Sequence, residues 1–280
     1  VNEAPPTTVD RFLDGRLTIE QPARGRHRAG LDAILLAALV PEEAQGRLID
    51  LGAGVGTAGL AVAHRAAEVT VTLAERDPTA LALAEANRRR AAPAIAARVR
   101  VTAVDLLAAG AREAELGREC ADLAIVNPPF FAPREVRASP AAARAAAHVL
   151  ATGGLDAWIR AAASLLVPGG RLGLIFKGDG IAEILSAIAG RFGEAAIRPI
   201  HPRDDTAAHR LLVVAVKGSR GPARILPGLV LHPATGSAYL PVADAVLRGS
   251  ADLAVRRSAA VSGRRRSDTS DSAACGPHTP

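Results

Sequence analysis

The residues best placed for chemistry in this 280-residue chain sit where strand-like runs give way to glycine, acid or proline. Asp50 lies in the apolar run Leu48-Ile49-Asp50-Leu51, and glycines follow at Gly52, Gly54 and Gly56. Glycine takes positive φ and lets a ligand approach where a Cβ would collide, so this segment predicts a buried strand turning into a helix beside a ligand. Gly54-Val55-Gly56-Thr57-Ala58-Gly59 also satisfies the G-x-G-x-x-G pattern of nicotinamide-binding loops, and a tight turn with no ligand carries the same letters. Two further acids close the next strand-like runs. Glu75 stands where a carboxylate can accept from both ribose hydroxyls, a requirement shared with NAD-binding folds, and Asp105 stands where it can meet an adenine amino group. Each alone reads equally well as a solvated helix cap. Asp50, an acid just before the glycines, suits a methionine-type ammonium that a dinucleotide does not carry, and all three acids at strand ends together make a ligand site the better reading.

A second constellation is Asn127-Pro128-Pro129-Phe130, directly after the strand-like Ala124-Ile125-Val126. Open α/β folds place their ligands at this carboxyl edge of the sheet. The Asn127 side-chain oxygen can accept one hydrogen of an amino group and the Pro128 carbonyl the other, which holds the nitrogen and favours its change toward tetrahedral geometry. Proline restricts φ and offers no competing N–H. Phe130 can stack on a planar substrate or serve as a core aromatic; its placement here, as one of five Phe, favours stacking. An ordinary strand exit is the alternative for the whole string.

These positions require a scaffold of alternating strands and helices. Residues 1–30 read as a strand and turn region with Asp14-Gly15 as a hairpin turn, followed by a helix near Leu31 to Leu39. Strands are expected at Arg47–Leu51, Val69–Ala74, Arg98–Val104, Leu123–Val126, Arg171–Phe176, Ala195–Ile200 and Leu211–Val216, with helices between the first six. Strand–helix–strand repetition implies a parallel sheet covered on both faces. The link Pro202 to His209 is too short for a crossover helix, so the last two strands should pair antiparallel. Leu229-Val230-Leu231 and Tyr239-Leu240 suggest a small extra hairpin. Residues 31–248 form the expected main domain, and 249–280, poor in core-forming residues, read as a disordered basic tail.

Composition excludes more than it selects. Hydrophobic residues make up 49% and charged residues 22% of the chain, which fits a globular protein. The net charge of +6 is compatible with a polyanionic partner, but Ser250 onward holds five Arg against three Asp, and only Lys177 and Lys217 are lysines, as a GC-rich codon bias would also produce. Cys120 and Cys275 provide no disulfide framework, and His27, His64, His148, His201, His209, His232 and His278 show no metal-ligand spacing, so no metal is expected. A reducing cytoplasm fits. No charged start precedes a long apolar run, so neither signal peptide nor membrane span is expected. His148, Arg203 and Arg210 are candidates to face substrate, with solvated surface positions as the alternative. Nothing indicates an oligomeric state.

Taken together, Asp50-x-Gly-x-Gly-x-Gly, Glu75-Arg76-Asp77-Pro78, Asp105 and Asn127-Pro128-Pro129-Phe130 resemble the class I S-adenosylmethionine-dependent amino methyltransferases. The segment His27-Arg28-Ala29-Gly30-Leu31-Asp32-Ala33-Ile34-Leu35-Leu36 is similar to the entry of the bacterial tRNA(Val) adenine-N6 methyltransferases; the resemblance as a whole covers about residues 10–248 and is most specific at Gly30–Leu36 and Asn127–Phe130. The resemblance implies a Rossmann-like, mostly parallel seven-stranded sheet with an antiparallel last pair, and S-adenosyl-L-methionine as cofactor. Asp50, Gly52, Gly54 and Gly56 would line it, Glu75 would hold its ribose and Asp105 its adenine. Asn127, itself at the cofactor, would with Pro128 and Phe130 hold the target base. The expected reaction is methyl transfer to an exocyclic amine of RNA, adenine N6 in tRNA, with guanine N2 of rRNA or a protein glutamine amide as alternatives. The family more often has Tyr where Phe130 stands, and Phe also occurs in guanine-methylating relatives. A glutamine methyltransferase usually carries a helical N-terminal domain, for which the start of this chain leaves no room. A dehydrogenase leaves the Asn-Pro-Pro-Phe loop without a role, and a non-catalytic RNA chaperone leaves its intact acceptors unexplained.

Overall fold

The structure is a computed structural model, and it describes residues 6–23, 30–129 and 154–256. The chain opens with a hairpin, β1 (Thr7–Phe12) and β2 (Leu17–Pro22), paired in register from Thr7 opposite Pro22 to Phe12 opposite Leu17. Its turn holds Leu13, Asp14 and Gly15 at positive φ, as the Asp-Gly pair predicts. Alternation along β2 drives Leu17 and Ile19 into the core, so the hairpin belongs to the body of the domain.

Beyond it lie α1 (Leu31–Ala37), β3 (Gln45–Leu51), α2 (Thr57–Arg65), β4 (Glu68–Glu75), α3 (Pro78–Arg90), a short α4 (Pro93–Ala96), β5 (Val99–Ala103), α5 (Ala109–Leu116) and β6 (Ala121–Val126). After the segment outside the described residues come α6 (Gly154–Leu165), β7 (Leu166–Lys177), α7 (Ile181–Ile188), β8 (Phe192–His201), β9 (Arg210–Lys217), β10 (Arg224–Ile225), β11 (Leu229–Val230) and α8 (Pro241–Leu247). The central strands run in the order β8-β9-β7-β6-β3-β4-β5. All pairs from β7 to β5 are parallel, whereas β9 lies antiparallel between β7 and β8. The short link from β8 to β9 dictates that reversal, as the sequence predicts.

Three expectations are corrected. The sheet has nine strands rather than seven, because β10 and β11 both pair parallel with β8. For the same reason Leu229 and Val230 form no hairpin with Tyr239-Leu240; only the Leu240 N–H reaches back, to the Leu231 carbonyl at 2.8 Å. Third, residues 249–256 are not tail. Leu253 is 6% exposed, its N–H donates to the Ala38 carbonyl at 2.8 Å, and Arg171 donates to the Val255 carbonyl at 2.6 Å. A single leucine in a polar stretch finds a pocket against α1, which composition cannot report. The rest of the expected tail lies outside the described residues.

Each sheet face buries its own core. One contains Leu48, Leu60, Val62, Leu73 and Ile125 with Leu35 and Leu36 of α1, and the other contains Ile49, Leu51, Val126, Ile159, Leu165 and Leu174. Successive residues of β3 therefore alternate faces: Leu48 and Asp50 point toward α1 and α2, Ile49 and Leu51 toward α6. That alternation aims the Asp50 carboxyl at the start of α2. No helix among the described residues is long and apolar enough to cross a membrane.

Candidate active site and its cofactor cleft

Along the carboxyl edge of the sheet the chemistry-bearing residues follow strand order. Asp105 comes after β5, Glu75 ends β4, Asp50 and the glycine loop follow on β3, Asn127 leaves β6 and, past β7, Arg210 begins the antiparallel β9. A cleft of about 610 Å³ lies over this edge, walled by Gly30–Ala33, the glycine loop, Glu75, Asn127, His209 and Arg210. A second cavity of about 230 Å³ is lined by Asp105, Leu106, Arg76, Pro129 and Trp158. The two share Gly52, Gly54, Glu75 and Asn127, so these four stand at their junction.

Asp50 is 3% exposed, and its Oδ2 accepts the Gly59 N–H at 2.8 Å. Burial, with help from the nearby Glu75 charge and against that hydrogen bond, pushes its carboxyl up to about 7. A carboxyl held so high has no cation beside it to stabilise its charge, and an ammonium in the cleft would supply one. Next to it, the Thr57 hydroxyl is buried without a hydrogen-bond partner and lines the same cleft. A buried hydroxyl left unpaired is costly, so it marks a place a polar ligand atom can fill.

Glu75 organises the loop as well as facing it. Its Oε2 accepts the Gly54 N–H at 2.9 Å, while Oε1 accepts from Arg76 N at 2.7 Å and Asp77 N at 2.9 Å. Carboxylate oxygens have about four acceptor sites in all, so ribose hydroxyls can add to these bonds. Gly52 has φ +70°, and a Cβ there would lie 2.8 Å from the ring of Trp158; at Gly54, φ +56°, the same position is open space. Gly56 departs from the expected role. It lines neither cavity, and a Cβ on it would strike the Leu73 side chain at 2.8 Å, so its small size serves helix-on-strand packing.

Asp105 lines the smaller cavity, with Oδ1 accepting the Leu107 N–H at 3.0 Å and Oδ2 3.4 Å from the Arg76 guanidinium. Trp158 on α6 forms another wall of that cavity and was not singled out from the sequence, although it is the chain's one tryptophan. Asn87 was missed too. Its buried amide accepts from Glu20 N at 2.8 Å and donates to the carbonyls of Glu20 at 2.9 Å and Val55 at 3.0 Å, which ties the hairpin to the glycine loop and sets Pro22 at the cleft wall.

Asn127 borders both cavities, and Pro129 the smaller one. Pro128 is buried and lines neither, so its side chain packs below the site. Phe130, His148 and the segment His27-Arg28-Ala29 lie outside the described residues. Arg210 lines the cleft, whereas Arg203 is spent on the carbonyls of Pro233 and Gly236 away from it. Among the described residues no cluster of three or more His, Cys, Asp or Glu could hold a metal ion.

A reversed β9 in an otherwise parallel sheet, with a glycine loop and acids at successive strand ends, defines a class I S-adenosylmethionine-dependent methyltransferase. The open space at Gly54, the orphaned Thr57 hydroxyl and the uncompensated Asp50 carboxyl all fit an adenosine carrying a charged amino-acid end. The model for the methyltransferase small domain matches residues 29–197. A Porphyromonas gingivalis tRNA1(Val) (adenine(37)-N6)-methyltransferase is 31% identical over 218 residues, covering 75% of this chain and 83% of that protein. The Serratia proteamaculans enzyme of the same name is 31% identical over 193 residues, 68% of this chain and 71% of that protein. Among solved structures, a predicted O-methyltransferase, protein Atu636 from Agrobacterium tumefaciens, superposes with a TM-score of 0.68 at 36% identity, covering 81% of this chain and all of that one. The chain belongs to the methyltransferase small domain family, and it is an S-adenosylmethionine-dependent N-methyltransferase.

Proposed function

We propose that this enzyme methylates the exocyclic N6 of an adenine in a tRNA loop, with Asn127 and the Pro128 carbonyl as acceptors for the amino hydrogens. The observation that carries this reading is the position of Asn127 at the junction of the two cavities, immediately after β6. The names of the relatives support the adenine and the tRNA, and a tRNA substrate implies work in the cytoplasm.

An exocyclic amine is a poor nucleophile, because its lone pair is delocalised into the ring. Two acceptors that grip its hydrogens withdraw that lone pair from conjugation and aim it. The cofactor supplies an electrophilic methyl group when bound; Asp50, Glu75 and Asp105 would hold its ammonium, ribose and adenine. Phe130 would stack on the extruded base, and because extrusion from a duplex costs unpairing and unstacking, a single-stranded loop is the favoured substrate.

The test is single-turnover methylation of deproteinised tRNA with the modified nucleoside identified by mass spectrometry. N6-methyladenosine is the expected product. A 2′-O-methylated ribose, N2-methylguanosine or no modified nucleoside at all would overturn the reading. Phe130→Ala should weaken tRNA binding by about 1–3 kcal/mol, the value of stacking one base on an aromatic ring.

A further inference from the structure

Helix α5 buries one residue, and that residue is an arginine. Arg112 is 7% exposed, on a helix whose other residues are exposed or half-buried. Burial pulls its guanidinium below the usual range. The acid beside it in the chain, Glu113, pairs with Arg118 at 2.7 Å instead. Arg112 Nη1 donates to the Leu106 carbonyl and Nε to Ser164 Oγ at 2.9 Å, and that hydroxyl donates to the Ala161 carbonyl at 2.9 Å. Among the described residues its hydrogen bonds thus go to neutral acceptors. A buried cation held in this way is costly, and an apolar side chain in its place would avoid the cost.

The two acceptors explain what the charge does. The Leu106 carbonyl and the Leu107 N–H belong to one peptide plane. Arg112 holds that plane at its oxygen, and at its nitrogen the plane donates to Asp105 Oδ1 at 3.0 Å. A peptide polarised by a cation at its oxygen is a stronger donor at its nitrogen. Asp105, Leu106 and Leu107 all line the smaller cavity, as does Trp158, which shares α6 with Ser164. We propose that Arg112 is the positioning residue for Asp105, orienting its carboxylate through the Leu106–Leu107 peptide, with Ser164 anchoring the guanidinium to the helix that carries Trp158. The inference rests on the assignment of Asp105 to the adenine of the cofactor and adds how that carboxylate is aimed. A carboxylate held along a fixed line separates an amino group, which donates to it, from a carbonyl, which repels it.

Two ligands read that selectivity without any turnover. S-adenosylhomocysteine and S-inosylhomocysteine differ at the purine ring, where the amino group of the first is a carbonyl oxygen in the second. Calorimetry on the intact protein should find wild type favouring the adenosyl ligand by about ten- to a hundredfold, the value of a hydrogen bond to a charged group. Arg112→Met, which removes both donors, should lower that preference by about tenfold, and Arg112→Lys, which keeps a charge and a donor, by less. Ser164→Ala cuts only the anchor and should act in the same direction; it covers the case in which Arg112→Met does not fold. A wild-type preference in the variants, whether or not both ligands bind more weakly, would make Arg112 a structural tie and overturn the proposal. No preference in wild type would mean that Asp105 does not read the amino group, and the assignment and the proposal would fall together. Neither readout uses RNA, so a failure here is distinct from a failure to methylate adenine.

Discussion

Two loops leave adjacent parallel strands, β3 and β6, and they are held in opposite ways. The glycine loop after β3 is fixed by hydrogen bonds that it donates: Gly52 and Ala53 donate to the Ala74 carbonyl at 2.9 and 3.1 Å, Gly54 donates to Glu75, and Gly59 donates to Asp50. Most of its backbone donors are occupied and its shape is set by what surrounds it. The Asn127-Pro128-Pro129 exit is fixed by covalent geometry, because two prolines restrict φ and contribute no N–H. Asn127 makes no side-chain hydrogen bond among the described residues. A binding loop can be saturated before its ligand arrives, whereas a loop that must grip a reacting nitrogen has to be rigid while its acceptors stay available.

The sharpest way to break that comparison is Asn127→Ala. Methyl transfer should fall on the order of 100-fold or more, since orientation and acceptor strength both go, while affinity for S-adenosylhomocysteine stays near wild type. Single-turnover rates alongside calorimetry measure both, and normal turnover would reduce the loop to a strand exit.

Within the glycine loop, Gly56→Ala and Gly54→Ala should fail differently. At Gly56 the new Cβ meets Leu73 at φ +89°, so the fold should lose about 2–4 kcal/mol, visible as a melting point lower by several degrees. At Gly54 the space is open, and about 1 kcal/mol of backbone strain should accompany a much larger loss of cofactor affinity. If the two variants melt alike, packing is not what Gly56 is for.

Asp50 provides a test by pH. With its carboxyl raised to about 7, the native protein holds a proton between about pH 4 and 7 that the unfolded chain has released, so stability contributed by this group falls as pH rises through that window. Asp50→Asn removes that slope. Its melting point relative to wild type should climb from pH 5 to pH 7.5, and S-adenosylmethionine binding to wild type near pH 6.5 should release a proton as the ammonium restores the charged carboxylate. A flat difference between the two proteins would show that Asp50 is ionised throughout.

The smallest effect concerns the far end of the chain. Ending the protein after Arg256 should leave the melting transition unchanged, whereas ending it after Gly249 removes Leu253 and should cost about 1.5–3 kcal/mol, the value of burying one leucine. Equal melting of the two truncations would make residues 250–256 dispensable.

Much of this molecule is local, and what is local can be read from the residues in order. Apolar runs ending in Asp50, Glu75, Asp105 and Asn127 determine the strands, and the short link before Arg210 determines the reversal of β9, because strand period and loop reach are properties of neighbours in the chain. The sequence also marked the glycines between β3 and α2. Only the tertiary structure separated their tasks, turning Gly56 toward Leu73 and leaving Gly54 open. It alone brought Trp158 beneath Gly52, stapled Asn87 to Glu20 and Val55, buried Leu253 against α1, and paired Asp32 with Arg210 across 178 residues. These contacts join elements distant in the chain. Nothing in the residues near either partner reports them, because they exist only once the sheet has set the order of its strands.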